Sequence, residues 1–150
     1  MITALAVGQK VSTVRAFTAD EVRAFAGLSG DSNPIHLDSD YARQTQFGRP
    51  IVHGLLTVSL FSQLLGEELP GPGTVYLGQT LKFLLPVFVG EEITATVEIT
   101  HIREDKPIVT LRTTVTTPNG TAVDGEAVVK VPNGRVSALP SPDSLLYPSP

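Results

Sequence analysis

Two hydrophobic periods divide the chain near residue 70. Ahead of that point the apolar positions recur at helical spacing. Val22, Phe25, Ala26 and Leu28 form one stripe, which Gly30 ends. Thr18-Ala19-Asp20-Glu21 opens it with capping-box spacing, and Phe17 and Val22 stand where a hydrophobic staple belongs. A short β-like run, Val11 to Phe17, precedes this helix. Asn33-Pro34 makes Asp31 to Leu37 an extended or turning loop. A short helix is predicted from Asp38 to Gln44. From Ile51 to Leu65 comes a second, greasier helix. Its Leu55, Leu56, Val58, Leu60, Phe61, Leu64 and Leu65 go nearly all round the wheel, which predicts burial on most sides.

After residue 70 the period changes to two. Val75, Leu77, Leu81 and Phe83 alternate with other residues, as do Ile93, Ala95, Val97 and Ile99. Val109, Leu111, Thr113 and Val115 do the same, and so do Val123, Ala127, Val129 and Val131. Asn119-Gly120 supplies a favoured hairpin turn between the last two runs, which outweighs its reading as part of a glycosylation sequon. Helices followed by consecutive antiparallel strands give an α+β fold, with the greasy helix lying across the sheet. Residues 133–150 hold four Pro and four Ser and follow neither period. They are expected to be a poorly ordered tail behind a single domain at 1–132.

Composition narrows the function. The 150 residues carry 11 basic and 15 acidic side chains, a net charge of −4, which disfavours nucleic acid and anionic membrane surfaces. Without any Cys, thiolate nucleophiles, disulfides and Cys-based zinc sites are excluded. His36, His53 and His101 are scattered and match no metal-ligand spacing, so no metal is expected. Pro50 to Gly66 lacks charge over seventeen residues, short of a membrane span, and no basic-then-apolar leader opens the chain. A soluble, cytoplasmic protein is the expectation.

Two segments carry chemistry. Asp31-Ser32-Asn33-Pro34-Ile35-His36 sets a carboxylate and an imidazole five residues apart, ~17 Å if the loop were extended. A turn at Asn33-Pro34 would instead bring them together around one water. The alternative is that Asp31 caps a turn and His36 is a structural core histidine. Ile51-Val52-His53-Gly54 opens the greasy helix, where N–H groups are free and a Gly admits close approach to an oxyanion. Here the alternative is a Gly kept for packing.

Together, Asp31-Ser32-Asn33-Pro34-Ile35-His36 and Phe47-Gly48-Arg49-Pro50-Ile51-Val52-His53-Gly54 resemble the hydratase-2 motif of MaoC-like proteins. More narrowly they are similar to the (R)-specific enoyl-CoA hydratases that feed polyhydroxyalkanoate synthesis. The likeness runs from about Val7 to Pro132 and includes Tyr76-Leu77-Gly78-Gln79 and Leu85-Pro86-Val87-Phe88-Val89-Gly90. It implies a hotdog fold, an antiparallel sheet wrapped around a central helix, working as a homodimer. It implies reversible syn hydration of trans-2-enoyl-CoA to (R)-3-hydroxyacyl-CoA with no cofactor beyond the CoA of the acyl-CoA thioester substrate. Carried over, Asp31 and His36 are the catalytic pair, the Gly54 N–H binds the thioester oxygen, and Ser62 faces the site. Gly54, Val58 and Ser62 step by four along the helix, in keeping with that. Leu65 and Val129 are expected to floor an acyl pocket between helix and inner sheet face, which favours four to six acyl carbons.

Two rivals share the fold. A hotdog thioesterase would need a carboxylate on or near the central helix, yet no Asp or Glu lies between Pro50 and Gly66; Gln63 is the nearest analogue. A (3R)-hydroxyacyl-ACP dehydratase runs the same chemistry on an acidic carrier, which this acidic chain suits less well.

Overall fold

The computed structural model describes residues 4–132; the Pro/Ser-rich segment at 133–150 lies outside the described residues. Five strands make one antiparallel sheet: β1 (Lys10–Arg15), β2 (Val75–Phe83), β3 (Ile93–Ile102), β4 (Ile108–Thr117) and β5 (Gly120–Lys130). Four helices precede β2: α1 (Ala19–Ser29), α2 (Pro34–Leu37), α3 (Ser39–Arg43) and α4 (Gly54–Glu67).

The predicted start of α1 forms as a capping box. The Glu21 N–H donates to Thr18 Oγ1 at 3.2 Å, and the Thr18 N–H donates to Glu21 Oε1 at 3.0 Å. Gly30 closes the helix at φ 81°, its N–H bonded to the Ala26 carbonyl. Phe17 and Val22 both enter the core. The stretch read as an extended or turning loop contains one helical turn, α2. Pro34 is tolerated there because it sits in the first turn, where no intrahelical N–H bond is due.

Sheet order is β1-β3-β4-β5-β2, so the strands after residue 70 are not all neighbours in sequence order. β2 pairs with β5 at one edge, and the segment after it must cross to β3 on the far side. That crossover, residues 84–92, passes the N-terminal end of α4. It pairs with the helix's entry segment: the Val52 N–H donates to the Val87 carbonyl at 2.7 Å and the Val89 N–H to the Pro50 carbonyl at 3.2 Å.

Leu60, Phe61, Leu64 and Leu65 of α4 pack on Ala95, Val97, Ile99, Val109, Leu111, Val115, Val123, Ala127 and Val129, all 2% exposed or less. Burying a Leu or Val side chain this fully contributes about 1.5–3 kcal/mol, so this interface dominates stability. Thr113 is a buried polar residue on that inner face, and its hydroxyl takes a hydrogen bond from Gln79 Nε2 at 2.8 Å. Gln79 belongs to β2 and reaches over β5, where Gly125 leaves room. A Cβ on Gly125 would stand 1.9 Å from the Thr80 carbonyl oxygen.

Two expectations about the sheet and helix need correction. A register shift between Tyr76 and Gly78 places Val75 opposite Lys130 and Tyr76 opposite Val129. Tyr76, Gln79 and Leu81, rather than an unbroken Val75-Leu77-Leu81 series, therefore share the inward face. One bulged residue is enough to swap faces. Helix α4 is also not covered on most sides within one chain. Leu55, Ser59, Ser62 and Gln63 form an exposed flank, and β2 leaves Leu77 exposed beside it.

Candidate active site

Asp31 sits just past the Gly30 stop of α1, and short-range polar bonds turn the chain there. The Asn33 N–H donates to Asp31 Oδ1 at 3.2 Å, and the Ile35 N–H donates to Asn33 Oδ1 at 3.2 Å. These two Asx turns replace an extended path by a tight one and start α2. In consequence His36 faces Asp31: a carboxylate oxygen of Asp31 and a ring nitrogen each of His36 and His53 lie within 4.8 Å of one another. One Asp31 oxygen remains for a ligand after Asn33 is served.

His36 is held at its other side. Its Nδ1 lies 2.7 Å from the Ile51 carbonyl, which can only accept, so Nδ1 carries the proton. Nε2 of the neutral ring is then the lone pair available to the site. Desolvation by burial pushes the His36 pKa below its ordinary 6.5, opposed by the bond to Ile51. Ile51 also donates its N–H to the Ile35 carbonyl at 3.2 Å, so the backbone of one residue grips α2 at two successive residues.

Gly54 is the first residue of α4, and no side-chain bond caps that helix. Its N–H has no intrahelical acceptor and points, with the positive end of the helix dipole, out of the N-terminus. The Phe83 ring lies against Gly54 so closely that an added Cβ would be 2.7 Å from Phe83 Cε1. Gly54 and Phe83 stand between two cavities. One, of about 430 Å³, is lined by His36, Phe47, Thr57, Val123 and the crossover residues Leu84 to Val87. The other, of about 350 Å³, is lined by Asp31, His53, Phe25 and Leu55.

Leu55 also belongs to a third hollow, a groove of about 410 Å³ between the exposed flank of α4 and β2. Ser62 lines this groove with Val58, Tyr76 and Gln79. Leu65 and Val129, expected to floor a pocket between helix and sheet, line none of these hollows and are sealed in the core. That interface is filled; the open path runs along the other flank of α4. Leu65 follows Ser62 by three residues, and Val129 lies directly across from Tyr76, so both sit behind the far end of the groove.

His53 was absent from the residues expected to act. It is 2% exposed, its Nε2 lies 3.0 Å from the Asp31 backbone carbonyl, and its ring stacks on His36 with centroids 3.9 Å apart. The signal was present: a polar ring inside an uncharged run must find a buried partner somewhere. Although Asp31, His36 and His53 bring three possible ligand atoms together, stacked rings direct their in-plane lone pairs side by side. Two rings stacked at 29° are poorly placed to share one tetrahedral cation.

A family model for the MaoC like domain matches residues 3–120. The chain belongs to the MaoC-like family. This MaoC-like chain is 61% identical over 129 residues to an (R)-specific enoyl-CoA hydratase of Aeromonas caviae, spanning 85% of the chain and 96% of that protein. A second (R)-specific enoyl-CoA hydratase, from Rhodospirillum rubrum, is 44% identical over 125 residues, 83% of this chain and 87% of its own length. Among solved structures, the A. caviae (R)-hydratase involved in PHA biosynthesis superposes with a TM-score of 0.84, 61% identity, and coverage of 85% and 98%. An (R)-hydratase from Pseudomonas aeruginosa gives 0.81 at 39% identity, covering 91% of each chain. The sheet wrapped on α4 is thus the hotdog fold of MaoC-like hydratases.

Proposed function

We propose that this chain is a hydro-lyase that adds water reversibly to trans-2-enoyl-CoA, giving (R)-3-hydroxyacyl-CoA, with Asp31 and His36 as the catalytic pair. One observation carries the reading: a carboxylate oxygen and a ring nitrogen of His36 lie within 4.8 Å beside the uncapped N-terminus of α4, and the bond from Nδ1 to Ile51 leaves that ring's Nε2 lone pair free. A water donating one O–H to Asp31 and the other to His36 Nε2 presents its lone pair to the substrate's C3. As the O–C3 bond forms, the dyad takes one water proton and the C2=C3 electrons move to the thioester oxygen. The Gly54 N–H meets that enolate charge, a donor worth about 10²–10³ in rate. Return of the dyad's proton to C2 from the same side completes a syn addition. No redox or metal cofactor enters, and CoA arrives with the substrate.

With the thioester at Gly54, the acyl tail enters the groove through Leu55 and passes Val58 and Ser62. Leu65 and Val129, packed behind its far end, limit how far it can run, consistent with about four to six acyl carbons and a role in making short polyhydroxyalkanoate precursors. The groove is open along one side and flanked by Leu55 and Leu77, each more than half exposed. A second copy of the chain would roof it, making a homodimer, to be checked by light scattering in solution. Residues 1–132 make up the catalytic domain in this reading, and the enzyme works in the cytoplasm. Among the described residues no helix is long and apolar enough to cross a membrane.

Loss of enoyl absorbance from crotonyl-CoA tests the reaction directly. The product should be oxidised poorly by an (S)-specific 3-hydroxyacyl-CoA dehydrogenase. Complete turnover by that enzyme, or release of free thiol from a saturated acyl-CoA, would replace this reading.

A further inference from the structure

We propose that His53 is a positioning residue of this site, whose single ring sets the spacing between Asp31 and His36. The inference rests on the hydratase reading and adds a residue to it. His53 occupies the N-cap of α4, where Ser, Thr, Asp or Asn normally bonds back to the helix. Its side chain does not do so. It turns toward the loop, and Nε2 donates to the carbonyl of Asp31, 22 residues earlier. One face carries the His36 ring, with an interplanar angle of 29°. From α1, Phe25 meets the ring edge-on with centroids 4.8 Å apart. Three elements therefore converge on one imidazole: the end of α1, α2, and the start of α4.

A packing role alone does not account for a histidine there. Nδ1 is buried without a partner, a penalty that Phe or Leu would avoid at the same burial. What His53 offers beyond bulk is a flat face and one directed N–H. The face supports His36, and the N–H fixes the residue whose carboxylate must share a water with it. Because His53 directly precedes Gly54, the helix N-terminus is registered to the dyad by the same side chain.

The test separates the two properties. His53→Phe keeps a flat ring and removes the donor; His53→Gln keeps an N–H near the Nε2 position and removes the aromatic face. With crotonyl-CoA, His53→Phe should lose about 10-fold or more in kcat while KM moves less than about 3-fold, since alignment is lost rather than binding. Its melting temperature should hold or rise. His53→Gln should recover part of the lost kcat. A folded His53→Phe with wild-type kcat would overturn the assignment, as would a Gln variant no faster than Phe. So would a loss of melting temperature with full kcat in the cold. The stack is read without turnover by the His36 ring-proton resonance, which should move in His53→Gln; an unmoved resonance refutes the contact. An inactive wild type would instead strike the hydratase reading itself.

Discussion

The inner face of the sheet and the N-terminus of α4 are built on opposite principles. Between α4 and strands β3 to β5 nearly every side chain is apolar and sealed, and Thr113 of β4 has its hydroxyl satisfied by Gln79. At the helix N-terminus the polar groups are under-served: His36 Nε2, His53 Nδ1, one Asp31 oxygen and the Gly54 N–H are spare, while backbone groups hold the other atoms of Asp31, His36 and His53. The first region stores stability that the second can forgo. Satisfying those spare groups internally would stabilise the fold and leave nothing to bind a water or an enolate.

Substitutions should split along this line. Gly125→Ala drives a Cβ into the Thr80 carbonyl, a backbone atom that cannot rotate aside. It should cost about 3 kcal/mol or more by chemical denaturation, with any remaining folded fraction active. Asp31→Asn and His36→Asn should do the reverse, each lowering kcat by about 10²-fold or more with an unchanged denaturation midpoint. Should either Asn variant unfold the protein instead, the site would be part of the scaffold and the contrast would fail.

Leu65→Ala probes the seam between the regions. Truncation in a filled core should cost about 2–5 kcal/mol. If the groove ends at Leu65, the same variant should raise kcat/KM for an eight-carbon enoyl-CoA relative to crotonyl-CoA. A cost in stability with no change in that ratio would place the end of the acyl path elsewhere.

The smallest effect concerns pH. Burial lowers the His36 pKa below 6.5, so the folded state binds fewer protons than the unfolded chain as pH drops under that value. Its contribution to stability is full above 6.5 and is lost as pH falls through the folded value. The acid limb of kcat/KM should therefore have its midpoint below 6.5, and His36→Asn should flatten the matching part of the stability curve. A limb centred above 6.5 would belong to another group.

Local devices were legible in the sequence because their partners lie within a few residues. Thr18 and Glu21 cap each other, Asn119-Gly120 turns β4 into β5, and the period of two finds the inner faces of β3 to β5. Hidden features depended on distant partners. The bulge at Leu77 is visible only once β5 is alongside, and the place of β2 at the edge follows from pairing across some fifty residues. The Asp31 and His36 segment is conspicuous, yet its tight geometry comes from Asn33 accepting the Ile35 N–H and from His36 donating to the Ile51 carbonyl far ahead. His53 went unassigned for the same reason: its meaning is a carbonyl 22 positions back.

The double grip of the Ile51 backbone on Ile35 and His36 closes the intervening chain into a ring. Helix α3 and the Phe47-Gly48-Arg49 turn lie wholly on that ring, outside the clasp. For a flexible loop, doubling the length costs only about 0.6 kcal/mol, because closure entropy grows with the logarithm of length. Residues inserted at the exposed Gln44 or Gln46, ahead of the Phe47 that lines the cavity, would thus enlarge a loop whose ends are already tied, leaving the distance from His36 to Gly54 unchanged. The clasp makes this arc a graft point, where a tag or a recognition loop could be carried beside the site without moving the proposed dyad or the Gly54 N–H.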